Sequence, residues 1–167
     1  MLLLQEVLVP AGGVNCIESA EAFERLFVDG HIGDWNVCDW FCIKVLGPLI
    51  QREGEACAQA ISRWRSAENL WQARASVVAF DTEAGERQYY PLLLESCRVL
   101  VSREERFAKT AVGWILRDIS KRDPGMVEAF VAGHLADFSV ESLRNALKTF
   151  DRDVRERYVQ RLKRGAR

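Results

Sequence analysis

Only two histidines, His31 and His134, occur in this sequence, and its five cysteines, Cys16, Cys38, Cys42, Cys57 and Cys97, form no C-x-x-C pair. That odd, scattered set argues against a disulfide framework and against structural zinc, so neither a metal nor another cofactor is expected. Cys38 and Cys42 share a helix face at i, i+4, a spacing that small buried thiols satisfy as core residues. Both histidines read as loop or helix-end residues. Alternating apolar and polar runs bounded by hairpin dipeptides are missing, which removes support for a β class. The four prolines fall at or near helix ends, or inside one at Pro48. The apolar opening MLLLQEVLV is too short to span a bilayer and has no basic leader; a cytoplasmic protein with no membrane partner is expected. A net charge of −1 argues against a strongly electrostatic nucleic-acid binder. No G-x-S-x-G elbow, Walker loop, G-x-G-x-x-G or H-E-x-x-H is present, so the chemistries those motifs carry have no local signature.

What remains is helical periodicity. At 167 residues and 49% hydrophobic content, the chain suits one globular domain with a core that needs no staple. The clearest stripe is Phe107, Ala108, Ala111, Val112, Ile115, Leu116 and Ile119, spaced by threes and fours. Ser102 followed by Glu104 and Glu105 reads as the cap of that helix, and Asp123-Pro124 as the start of the next. The same signs predict helices over Glu18 to Asp29, Trp35 to Gln51, Glu55 to Arg65, Asn69 to Thr82, Arg87 to Val101, Arg103 to Lys121, Pro124 to Ala132, Val140 to Thr149 and Val154 to Lys163. Residues 1–17 read as a partial helix and linker. Residues 151–167, with seven basic residues against three acidic, read as a basic terminal helix, and the rest of the chain is net acidic. Short gaps make sequential helices antiparallel neighbours.

Two of these helices carry an isolated charge. Asp39 is the lone ion in WNVCDWFCI and Arg74 the lone ion in NLWQARASVVAF, while KTAVGWILRDISK places Trp114 at the corresponding point. The three positions recur at intervals of 35 and 40 residues, the period of stacked helix pairs in which the second helices line one, usually concave, face. The expected fold is therefore all-α, a HEAT-like solenoid. Burying an ion costs several kcal/mol, roughly, unless it is paired or used, so Asp39 and Arg74 are either a structural pair or parts of a working site.

Face arguments extend the working-site alternative. Trp35 and Asp39 lie one turn apart on one side of a helix, so an indole stands beside a carboxylate. Thr110, Trp114, Arg117 and Lys121 form a stripe away from the apolar face, and Arg144 and Lys148 form another basic pair at i, i+4. If the second helices share a surface, Arg74, Arg117, Lys121, Arg144 and Lys148 make a cationic track interrupted by Trp35, Asp39 and Trp114. Cations for phosphates and aromatics for bases or sugars are the composition of a nucleic-acid site. The bland alternative is a solvated helix face, with Trp40, Trp64 and Trp71 in the core.

The segments WNVCDW (35–40), ENLWQARASVVAF (68–80), ERFAKTAVGWILRDISKRDPGMVEAFV (105–131) and FSVESLRNALK (138–148) resemble, in order, the DNA alkylation repair enzymes, alkylpurine DNA glycosylases built from HEAT-like repeats. The resemblance covers roughly residues 20 to 150. It implies that Asp39 is the catalytic carboxylate, that Trp35 and Trp114 line the lesion, and that Arg74 holds the DNA backbone. It further implies excision of cationic N3- or N7-alkylated purines from double-stranded DNA, in base excision repair, with no metal and no covalent nucleophile. Against that family the chain reads as shortened at its N-terminus, where relatives carry further helices that help grip DNA. A monomer is expected. The alternative from another class is a noncatalytic helical-repeat module that binds DNA or protein.

Overall fold

The computed structural model describes residues 3–165. Helix makes up 76% of the described residues and no strand occurs among them, which establishes the all-α class. Residues 1–2 and 166–167, at the outer ends of the expected terminal segments, lie outside the described residues.

A π-helical turn at Leu4–Leu8 precedes ten α-helices: α1 (Cys16–Val28), α2 (Trp35–Phe41), α3 (Gly47–Glu53), α4 (Glu55–Ser62), α5 (Leu70–Val78), α6 (Tyr90–Val101), α7 (Arg106–Ser120), α8 (Pro124–His134), α9 (Val140–Ala146) and α10 (Arg152–Gly165). The expected helix from Trp35 to Gln51 is α2 and α3 joined through a π-helical stretch, Cys42–Leu46. Pro48 accounts for that widened turn, because it has no N–H to donate and its ring crowds the carbonyl four residues back. Gly54, at φ 68°, then breaks the path between α3 and α4 in a conformation that favours glycine.

One expected cap is wrong. Ser102 terminates α6, and α7 begins only at Arg106 after Glu105, with no side-chain cap and no acid in its first turn. The intervening residues serve a longer-range tie instead. The Arg103 guanidinium donates to the Glu105 carboxylate at 2.6 Å and to the carbonyls of Ala67 and Glu68 at 2.8 and 3.0 Å. Asp123-Pro124 behaves as read: the Asp123 carboxylate accepts from Met126 N–H at 3.1 Å, with proline in the first turn.

The contact order is compatible with stacked helix pairs. Helices α1, α4, α6 and α8 pack in succession as one layer, and α2, α5, α7 and α9 as the other, with α10 against α9 at the end. The layers enclose one core. At one end Phe41 meets Phe23 and Phe27 edge-on at 5.4 and 6.0 Å, and Phe27 meets Trp64 at 5.6 Å. The α7 stripe enters the core as expected except for half-buried Phe107, whose ring stands 5.3 Å from Trp71.

Helices α7 and α9 approach closely at Gly113. A Cβ on Gly113 would stand 2.5 Å from the Ser142 carbonyl oxygen and 3.0 Å from its Cα, and backbone cannot move aside as a side chain can. Gly113→Ala is therefore expected to lower stability by about 1–3 kcal/mol, the usual range for overpacking. Gly133, in α8 with nothing within 4 Å of its added Cβ, should show the opposite sign on change to alanine, a gain of about 0.4–1 kcal/mol. Urea midpoints of the two variants check both.

Candidate functional site

Polar caps start three of the four second-layer helices, α2, α5 and α9, while α7 has none. Asp34 accepts from the N–H groups of Asn36 and Val37 at 2.8 and 3.0 Å, and Asn69 from those of Trp71 and Gln72 at 2.9 and 3.1 Å. Ser139 and Ser142 form a reciprocal capping box at the start of α9. These caps satisfy the first N–H groups of their helices and mark where each begins.

Between α2 and α5 the residues that meet are the two isolated charges. Arg74 Nε donates to Asp39 Oδ1 at 2.8 Å and Nη2 donates to Oδ2 at 2.9 Å, a fork-to-fork pair. The third nitrogen, Nη1, donates to the Phe107 carbonyl at 2.7 Å and reaches Thr110 Oγ1 at 3.4 Å. One guanidinium thus joins α2, α5 and the start of α7. It is buried, at 4% exposure, and Asp39 retains 7%. The open question of a direct Asp39–Arg74 pairing is thereby answered: they pair. For Arg74 to contact a phosphate, all but one Nη2 hydrogen would first have to be released from a protein partner.

The other expected residues distribute around this pair. Trp35, one turn before Asp39 on α2, is 52% exposed. Trp114, one turn beyond Thr110 on α7, is half-buried and lines a cavity of about 440 Å³ with Asp81, Thr82, Arg117, Asp118 and Lys121, a wall that includes neither Asp39 nor Trp35. Its Nε1 is buried without a hydrogen-bond partner of normal geometry, and Asp81 is the carboxylate it approaches. The Arg117 guanidinium lies 6.0 Å from the indole centroid.

Arg117 and Lys121 are not free cations: both pair with Asp118, Arg117 at 2.7 Å. Burial opposes ionisation of Asp118, yet the donors on Arg117 and Lys121 hold its carboxyl below the usual carboxylate range. Asp81 goes the other way. Burial raises it, the Asp118 charge raises it further, and Trp114, Arg117 and Lys121 offset only part of this. Arg144 and Lys148 are exposed and form no salt bridge among the described residues. Of the expected cationic track, these two are the unengaged members.

Of the other tryptophans, Trp64 is buried, with Nε1 donating to Glu24 at 2.8 Å, while Trp40 and Trp71 are partly buried against the core. Sequence reasoning missed Asp81 and Asp118 as partners of the Trp114 stripe, and missed Phe107 and Thr110 as partners of Arg74. The i, i+3 spacing of Asp118 and Lys121 was a usable signal. The Phe107 contact was not, since a backbone carbonyl has no residue signature. Chemically, the arrangement offers an oriented carboxylate beside an exposed indole, and a second indole in a polar cavity.

The family described as DNA alkylation repair enzyme matches residues 11–150. No curated protein matches the chain. No solved structure matches it either.

Two outcomes follow from the charges. Arg74→Ala strands the Asp39 carboxylate and should cost about 3–5 kcal/mol in chemical denaturation, with Arg74→Lys recovering only part because one ammonium cannot span both Asp39 oxygens and the Phe107 carbonyl. Asp81→Asn should raise the unfolding midpoint at neutral pH. A carboxyl raised in the folded state contributes its stability below the unfolded pKa of about 3.9 and loses it as pH rises through the folded value. The gap between variant and parent should therefore close on acidification, read from melting curves across pH.

Proposed function

Because the chain belongs to the DNA alkylation repair enzyme family, we propose that it is a DNA glycosylase releasing cationic N3- or N7-alkylated purines from duplex DNA. In this reading the helix pairs form a HEAT-like array whose second layer faces the DNA. The observation that carries it is the Asp39 carboxylate, held in one orientation by the Arg74 fork, one helical turn from the exposed Trp35.

The chemistry suits such a site. An alkylated purine already bears positive charge, so the C1′–N bond breaks with its electron pair passing to the base, which leaves neutral and needs no general acid. The sugar becomes an oxocarbenium ion, which an oriented carboxylate stabilises. Water then adds to C1′ and yields its proton to Asp39 or solvent. The fork engages one lone pair on each Asp39 oxygen and leaves others for these tasks. The faces of Trp35 and Trp114 attract a cationic base and the electron-poor edge of the sugar. Arg74, expected at the DNA backbone, here positions Asp39 and keeps one Nη2 hydrogen for a phosphate. Arg117 and Lys121 present charge already shared with Asp118, and Arg144 and Lys148 meet the backbone most directly.

The low exposure of Asp39 favours a second reading, in which the pair is a structural tie and the chain is a noncatalytic DNA- or protein-binding module. One assay separates the two: release of free methylpurine from methylated duplex DNA. The parent chain should release it, and Asp39→Asn should reduce the rate about 100-fold or more, the scale of losing one preorganised electrostatic group. Since Asp39→Asn also weakens the tie to Arg74, Gly113→Ala serves as a destabilised control that keeps release, both assayed below their melting points. DNA binding without release by the parent assigns the module. Unchanged release in Asp39→Asn removes its assigned role. Arg144→Ala with Lys148→Ala should weaken DNA binding and flatten its salt dependence by about one counter-ion per lost contact.

A further inference from the structure

Away from this site, the junction of α1, α3 and α4 gathers the donors Cys16, Glu53 and Cys57. One ligand atom from each lies within 4.8 Å of the other two. They come from the first residue of α1, the last of α3 and the first turn of α4; Glu53 and Cys57 are four residues apart, but nothing local announces Cys16 as their partner. Both thiols are buried, while the Glu53 side chain keeps 14% exposure and forms the edge that meets solvent.

The geometry points to a divalent-metal site of the zinc class formed by Cys16, Glu53 and Cys57. Tetrahedral ligands at the usual zinc distances stand roughly 3.5–3.8 Å apart, so closing from within 4.8 Å needs shifts on the order of 1 Å or less. Two thiolates select a soft or borderline ion over magnesium or calcium. The groups that orient the carboxylate are already in place. Cys16 N–H donates to Glu53 Oε2 at 2.8 Å, and Arg52 Nη2 holds Oε1 at 2.7 Å. Such outer partners fix a ligand's direction before the metal arrives. Charge also closes: two thiolates and one carboxylate exceed a divalent ion by one negative charge, which the Arg52 guanidinium cancels.

The site would fasten a segment that the same arginine also holds. Arg52 Nη1 donates to the Val9 carbonyl at 2.7 Å and Nη2 to that of Val14, tying the chain before α1 to the end of α3. A metal bridging α1 to α4 makes that clamp independent of side-chain hydrogen bonds. With three protein ligands, the fourth position is left for water on the Glu53 side.

Cobalt(II) added to the reduced chain tests this directly. A thiolate-to-cobalt charge-transfer band should saturate at one ion per chain and vanish on addition of zinc(II). Cys16→Ser with Cys57→Ser should abolish the band, whereas Cys38→Ser with Cys42→Ser should keep it. Glu53→Gln, which leaves both thiols and the core untouched, should weaken cobalt binding tenfold or more, and zinc should raise the melting temperature of the parent but not of the double-serine variant. No band in the parent, or a band unchanged by the loss of Cys16 and Cys57, overturns the assignment. So does a Cys16–Cys57 disulfide that forms in air even with zinc present.

Discussion

One guanidinium ties three successive helices of the second layer together. Arg74 reaches Asp39 on α2 with two nitrogens and the α7 backbone with the third, so three successive helices converge on a single planar cation. A planar fork suits this task because its donors point in fixed directions, and each direction here has an acceptor on a different element. Leaving any of them unmade strands a buried charge or a buried carbonyl, which is why the arrangement is stiff. That stiffness gives the Asp39 carboxylate a defined orientation, the property an electrostatic catalyst or a structural tie needs equally.

The same step along the chain recurs in other ties. Arg103 reaches back to Glu68 and Arg106 reaches forward to Glu141, each across 35 residues, as Arg74 reaches Asp39. Neighbouring helices of one layer pack directly against each other, so an arginine on one finds an acceptor on the next about 35 residues away in sequence. The ties differ in exposure and hence in worth. Arg106 and Glu141 are exposed and screened by solvent, whereas Asp39 and Arg74 are shielded from it.

Around Trp114 the electrostatics are balanced instead of cationic. Asp118 takes both Arg117 and Lys121, and its charge makes ionisation of Asp81 less favourable. The indole therefore lines a mixed polar cavity, and the basic character of the surface falls to residues farther along the layer, Arg144 and Lys148. At the opposite end of the chain, Arg52 organises both the chain segment before α1 and the carboxylate beside two thiols. Arginine forks, rather than disulfides, make the long-range connections in both regions.

Much of the fold is legible from residue patterns. Threefold and fourfold spacing marks α7 and Asp123-Pro124 marks the start of α8, because each depends only on near neighbours along the chain; the recurrence of Asp39, Arg74 and Trp114 is compatible with the layered packing. The Ser102 cap misled for a tertiary reason: Arg103 draws the following residues into a tie with the chain just before α5. Sequence alone determined that Asp39 and Arg74 would need a partner or a task, since the cost of isolated burial follows from their apolar surroundings. Only the tertiary structure decided that they satisfy one another, that Asp118 neutralises the Trp114 stripe, and that Cys16, Glu53 and Cys57 converge. Helix phase fixes the direction of a side chain from its own helix, while pairing depends on the offset between helices, which close packing sets across the whole layer.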